Sequence, residues 1–207
     1  MKENYQACFN HVIGSEGGFQ NDPNDKGNWT GCSVGAGKNI GTNWGISGCA
    51  YPTLDIKNLR QEDAEEIYHK DYWGVVGGDD LPYGIDLCTF DGGVNSGNSR
   101  GVKWLQAAVG AVQDGVMGPQ TMAAVEVADD DTTIDRMCDA RLNYLKGLST
   151  WPNYGKGWTT RVESVRDTAH KMVAEHEGEV PVDEKVVTVI ISAPPGVRVD
   201  VQVVEDD

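Results

Sequence analysis

A stretch of 21 residues, Trp29 to Cys49, holds six glycines and no helical period, while nearly everything from Arg60 to His176 sets its apolar residues at helical spacing. Glycine costs a helix interior about 1 kcal/mol relative to alanine, so this stretch cannot be absorbed into a helical body. The two kinds of sequence together predict a mainly α (α+β) chain. One small glycine-rich lobe, built of loops and a short irregular hairpin, sits beside packed helices.

The helical segments follow one another closely. Tyr5, Cys8, Phe9, Val12 and Ile13 fall at i, i+3, i+4, i+7 and i+8, one face of a helix. Arg60 to about Trp73 repeats the pattern with Ala64, Ile67, Tyr68 and Tyr72. Ile85 to Val94 is apolar and leads into Asn95-Ser96-Gly97, an expected turn capping a helix from Ser99 to Val109. Gly92-Gly93 inside that stretch predicts either a kink or the close approach of backbone or ligand. A short helix to about Val127 follows Asp114 to Thr121, and Thr132 or Thr133 is expected to cap the next, which carries Ile134, Met137, Cys138, Arg141, Leu142 and Leu145. Trp151-Pro152-Asn153-Tyr154-Gly155 is expected to break it before a last helix from about Trp158 to His176. Beyond a linker, Gly178 to Asp183, two valine-rich strands (Lys185 to Ser192 and Val197 to Val204) flank Ala193-Pro194-Pro195-Gly196 and read as a β-hairpin. An isolated hairpin is marginal in water, so this one is expected to pack on the body or to mediate self-association or binding of a protein partner.

The formal charge of −15 argues against nucleic acid or an anionic membrane as partner, and from Glu175 on nine acids face two bases. No stretch approaches the roughly 18 apolar residues of a membrane span, and Met1 to Phe9 lacks the pattern of a signal peptide, so synthesis in the cytoplasm is expected. Five cysteines, odd in number and without a C-x-x-C pair, predict reduced, buried thiols. His11, His69, His170 and His176 have no metal-ligand spacing, and no dinucleotide or phosphate-loop fingerprint occurs, so neither metal nor cofactor is expected.

The residue that carries chemistry best is Glu16. It continues the apolar stripe of the first helix and is followed by Gly17-Gly18, a helix stop. A carboxyl on the buried side of a last helical turn is disfavoured as an anion by lost hydration and by the negative end of the helix dipole. Kept protonated, it can donate to a leaving glycosidic oxygen. Asp22 and Asp25 lie six and nine residues further on, in a loop expected to fold back, and either can serve as the second carboxylate of a glycoside hydrolase. Each is also explained as a turn former. Thr42 or Asn43 can hold an attacking water, or simply build the next turn. Of the aromatic residues, Trp44 and Trp29 are the ones expected near a sugar.

Several motifs in order carry a family resemblance: Glu16-Gly17-Gly18-Phe19 with Asn21-Asp22-Pro23, Thr42-Asn43-Trp44-Gly45-Ile46-Ser47, Asp71-Tyr72-Trp73, Phe90-Asp91 with Val94-Asn95-Ser96-Gly97, and Trp104-Leu105-Gln106. Over about residues 5 to 174 the chain resembles glycoside hydrolase family 108, peptidoglycan N-acetylmuramidases of lysozyme-like fold. Asp114 to Thr121 and the helices through Trp158 resemble the predicted peptidoglycan-binding region of its members. The resemblance implies a catalytic domain over 1–110, that binding region over 111–177 and an unrelated tail over 178–207. It implies Glu16 as the essential glutamate of an E-G-G-Y motif, whose Tyr is Phe19 here; Asn43, Trp44 and Asn95 are expected at the substrate. It also implies an endolysin of the phage type, acting on the wall after release from the cytoplasm, with a bacterial secretion-associated muramidase as the other setting. A lytic transglycosylase using the same glutamate and a non-catalytic wall-binding or virion protein are the alternatives.

Overall fold

The computed structural model describes residues 4–14 and 18–179, with side chains through His176. Glu16 and the expected hairpin of 185–204 lie outside the described residues.

Helix α1 (Tyr5–Ile13) buries the five residues that its periodicity predicts but stops at Gly14, where φ is 52°, three residues before the expected stop at Gly17-Gly18. The Tyr5 ring meets Trp73 and Phe90 with centroids 5.2 and 6.1 Å away, and Phe9 meets Tyr68 edge-on at 5.7 Å. These contacts fix α1 against α2 (Gln61–Tyr68), which runs on as a π-helical turn, His69–Trp73.

The body is organised around α3 (Ile85–Ser96), whose first nine residues, through Gly93, are all buried. Packed on it are α1, α4 (Asn98–Ala108), α6 (Asp130–Lys146) and α7 (Trp151–Glu179), while α5 (Pro119–Glu126) adds Val125 to the core. One apolar cluster runs from Tyr5 through Phe90 and Met137 to Val173, so the helices on either side of residue 110 share a core.

Gly92-Gly93 meets the second of its two expectations. The helix continues through both glycines, and the neighbouring backbone comes close: a Cβ on Gly101 of α4 would stand 2.7 Å from the Thr89 carbonyl oxygen and 2.8 Å from the Gly93 nitrogen. Tight α3–α4 packing offsets the helix-propensity cost, and it also carries α3 through Asn95 and Ser96, where a turn was expected; Gly97 alone, at φ 91°, makes the break.

Two other helix starts differ from expectation. The cap of α6 is Asp129, whose carboxylate accepts from the Thr132 amide at 2.8 Å, and Thr133 is buried in the core. Helix α7 begins at Trp151, seven residues before the expected Trp158. Pro152 falls in the first turn, where an amide hydrogen has no intrahelical partner to lose, and the Trp151 indole covers Gly155, so residues that look like breakers start the helix instead.

The glycine-rich lobe has the expected form. Strands β1 (Thr42–Asn43) and β2 (Ile46–Ser47) pair antiparallel, and isolated bridges join Gln20 to Thr42 and Trp29 to Asn39. The cysteine expectation is corrected in part. Cys8, Cys88 and Cys138 are free and buried, but the lobe folds back so that Cys32 and Cys49, with Cα atoms 4.7 Å apart, form a disulfide. Among the described residues no helix is long and apolar enough to cross a membrane.

Candidate active site

Two cavities open side by side at the end of α1. One, about 230 Å³, is walled by Ile13, Trp44, Gly45, Tyr68, Asn95 and Arg161. The other, about 430 Å³, is walled by His11, Ile13, Gly14, Asp91, Arg161 and Ser164. A larger depression of about 690 Å³ follows Lys156 to Lys171, and all its lining residues come from α7, a one-sided surface that encloses little.

Trp44 and Gly45 are the two central residues of the β1–β2 turn, and both have positive φ, 52° and 73°. That geometry suits a two-residue hairpin, but a bulky residue rarely adopts it, and it costs about 1–3 kcal/mol unless its surroundings enforce it. The surroundings do so here. The Trp44 indole donates to the Leu59 carbonyl at 3.1 Å, and the Tyr68 hydroxyl donates to the Trp44 carbonyl at 3.2 Å. An indole held at a cavity's edge by a strained backbone is the kind of feature found at binding sites. Asn95, exposed at the end of α3, completes that edge.

Asn43, in contrast, is buried, and its amide donates to the Ile56 and Leu59 carbonyls, both at 3.1 Å, tying the hairpin to the 56–59 turn. Thr42 donates to the Asn28 side-chain oxygen at 2.7 Å. Asp22 accepts from the Asn24 amide and Asp25 from the Gly27 amide, the turn-forming bonds that their positions suggest. Gln20 links these groups, donating to Asp25 at 3.1 Å and exchanging bonds with Asn28. The structure thus brings Asp22, Asp25 and Thr42 together around Asn28, a residue with no chemical signature in the sequence beyond its turn-rich surroundings. Trp29 donates from its indole to the Pro23 carbonyl in the same cluster.

Both flanks of the segment that carries Glu16 are therefore placed. Gly14, two residues before it, lines a cavity, and Gln20, four residues after it, pairs with β1 through two backbone bonds of 2.9 and 2.8 Å.

Across the cavities from the lobe stands an ion cluster that sequence reading did not find. Asp91 is 1% exposed; Arg161 donates to it from Nε and Nη2 at 2.9 and 2.7 Å, and Arg141 donates to its other oxygen. Burial pushes the Asp91 carboxyl up, but the Arg141 and Arg161 guanidiniums outweigh it and hold the carboxyl below the usual range. Burial lowers the His11 imidazole, with Asp91 opposing and Arg161 assisting. The partners lie 50 and 70 residues from Asp91, a separation that no local pattern records.

The comparisons with known proteins agree with this geometry. A model of the glycosyl hydrolase 108 family matches residues 9–97, and a model described as a predicted peptidoglycan domain matches residues 100–163. Among solved structures the chain is similar to SagA of Brucella abortus, with 39% sequence identity and a TM-score of 0.71 over 84% of this chain and 97% of that one. No curated protein matches. With that identity over nearly the whole of the related chain, and the family model spanning the end of α1, the hairpin and α3, the chain belongs to the glycosyl hydrolase 108 family and is a glycoside hydrolase.

Proposed function

We propose that the protein is a peptidoglycan N-acetylmuramidase, cleaving the β-1,4 bond between N-acetylmuramic acid and N-acetylglucosamine with Glu16 as general acid. The observation that carries this reading is the pair of cavities at the end of α1, edged by the strained Trp44, where the chain enters the segment holding Glu16. The predicted peptidoglycan domain over residues 100–163 supports the substrate. In the mechanism Glu16 protonates the leaving oxygen, and Asp25 or Asp22, solvent-exposed in the loop paired to β1, steadies the developing cation or directs water. Trp44 and Asn95 orient the sugar. The biological setting proposed is that of an endolysin, made in the cytoplasm and acting on the wall after release through a membrane pore.

Mass spectrometry of wall fragments released by the full chain tests the chemistry. Reducing muramic ends are expected; 1,6-anhydro ends would make it a transglycosylase. Glu16→Gln should keep the thermal melt and lower the rate by about 10²-fold to 10⁴-fold. Near wild-type clearing by that variant would overturn the assignment of the acid.

A further inference from the structure

The first turns of α7 carry a row of aromatic rings that lies outside the candidate site and leads to it. The Tyr154 and Trp158 rings are 5.7 Å apart and tilted by 32°, and the Trp151 and Trp158 rings are 6.1 Å apart. We propose that these rings form an outer subsite, where sugar rings of a peptidoglycan strand stack while the strand occupies the cavities at the end of α1. The proposal rests on the peptidoglycan reading above.

Position and exposure carry the argument. Tyr154, Trp158 and Arg161 fall at i, i+4 and i+7, one face of α7, and Arg161 forms a wall of both cavities. At 1.5 Å per residue, Tyr154 stands about 10 Å along the helix from that wall. Between them lies Gly157, where a Cβ would meet nothing within 4 Å, so bare backbone faces open space. Helices α3 and α7 run antiparallel: Gly84 lies against the Ala169 carbonyl and Asp91 against Arg161, so Asn95, one turn further along α3, comes level with the turn that holds Trp158. The rings therefore begin where Asn95 edges the smaller cavity. Tyr154 is 58% exposed, while Trp151 and Trp158 are half-buried against the core, and the Trp151 indole rests on Gly155, where a Cβ would stand 2.6 Å from it. Rings held this way offer a wide contact at little cost in rotamer entropy. The negative face of an aromatic ring suits the C–H face of a pyranose. Stem peptides carry carboxylates, which a chain of net charge −15 repels, whereas a sugar face is neutral. The match to the predicted peptidoglycan domain, residues 100–163, takes in all three rings.

The test changes Tyr154, the exposed member, in the full chain. Tyr154→Leu keeps an apolar helix former but no ring face, and Tyr154→Phe keeps the ring. Binding is read by fluorescence anisotropy on labelled glycan strands freed of their stems by an amidase, with Glu16→Gln in every protein to stop turnover. Tyr154→Leu should weaken binding about tenfold, and Tyr154→Phe should bind nearly as well as its parent. In turnover by the otherwise unchanged enzyme, Tyr154→Leu should lower the ratio of kcat/KM on long strands to that on tetrasaccharides about tenfold, mainly through KM. An unchanged ratio, or equal binding by the Leu variant and its parent, overturns the proposal. So does displacement of the strands by soluble stem peptides, which would make the surface a peptide site, or a Tyr154-dependent dimer by light scattering, which would make it a contact between copies. A thermal melt checks folding; should Tyr154→Leu fail it, Tyr154→Ala makes the same comparison. A wild type that releases neither reducing nor 1,6-anhydro ends from any wall would sink the enzymatic reading, while the binding comparison still decides the role of the rings.

Discussion

Asn28 and Asp91 are each a fully buried polar side chain at the centre of a region, and they are satisfied in opposite ways. Asn28 bonds through its side chain to Gln20, Asp22 and Thr42, none more than 14 residues away, and its carbonyl accepts from Ile40 and Gly41. Asp91 is held by charged partners 50 and 70 residues distant, inside a helical core. The lobe is thus a network of short-range hydrogen bonds with a disulfide at its edge, whereas the body is long-range packing around a buried ion cluster. A region held by local bonds can open without taking the rest of the molecule with it; a shared core cannot. The candidate site lies where the two meet, with Trp44 supplied by the lobe and Ile13, Asn95 and Arg161 by the body.

The comparison can be broken most directly at Asp91. Asp91→Ala leaves Arg141 buried without its carboxylate, and loss of one partner from a buried pair costs about 3–5 kcal/mol. Urea unfolding should show the whole chain losing that stability in one transition; a loss under 1 kcal/mol would mean that the cluster does not hold the body.

Asp86 sharpens the picture of the body. It is buried in the first turn of α3, accepting from Asn4 at 2.7 Å and from the Leu87 amide, and burial outweighs those bonds and pushes its carboxyl from 3.8 up to about 6. Between those values the folded state binds the extra proton, so stability falls as pH rises through the window. The cost is absent below pH 4 and complete above pH 6, on the order of 3 kcal/mol. Denaturation at pH 4 and pH 7 should show Asp86→Asn flatter across that window than wild type; parallel curves would contradict the assignment.

Asn28→Ala tests the other side. It strips the lobe of its hub and should cost about 1–3 kcal/mol, felt as faster amide exchange between Gln20 and Gly48 with the body unchanged. Slower wall cleavage should accompany it, because the hairpin that carries Trp44 loses the Thr42–Asn28 bond. If α3 and α7 amides exchange faster as well, the lobe and body are one cooperative unit and the contrast fails.

Much of the fold can be read locally. Periodicity in Tyr5 to Ile13 marks the helix and its buried face because side chains at helical spacing share one side whatever they pack against. Six glycines between Trp29 and Cys49 predict an irregular lobe because backbone freedom is a property of the residue itself. Trp44 and Asn95 stand in motifs and do meet at one cavity. What the sequence could not determine depends on partners far along the chain. Gly92-Gly93 reads as a weak point until Gly101 is packed against it, and Pro152 reads as a breaker until Trp151 covers Gly155. Cys32 and Cys49 look unpaired until the lobe folds back on itself. Arg161 is one more surface arginine at helical spacing; only the tertiary structure sets it beside Asp91 at the end of α1, because a buried charge is satisfied by distance in space and not along the chain.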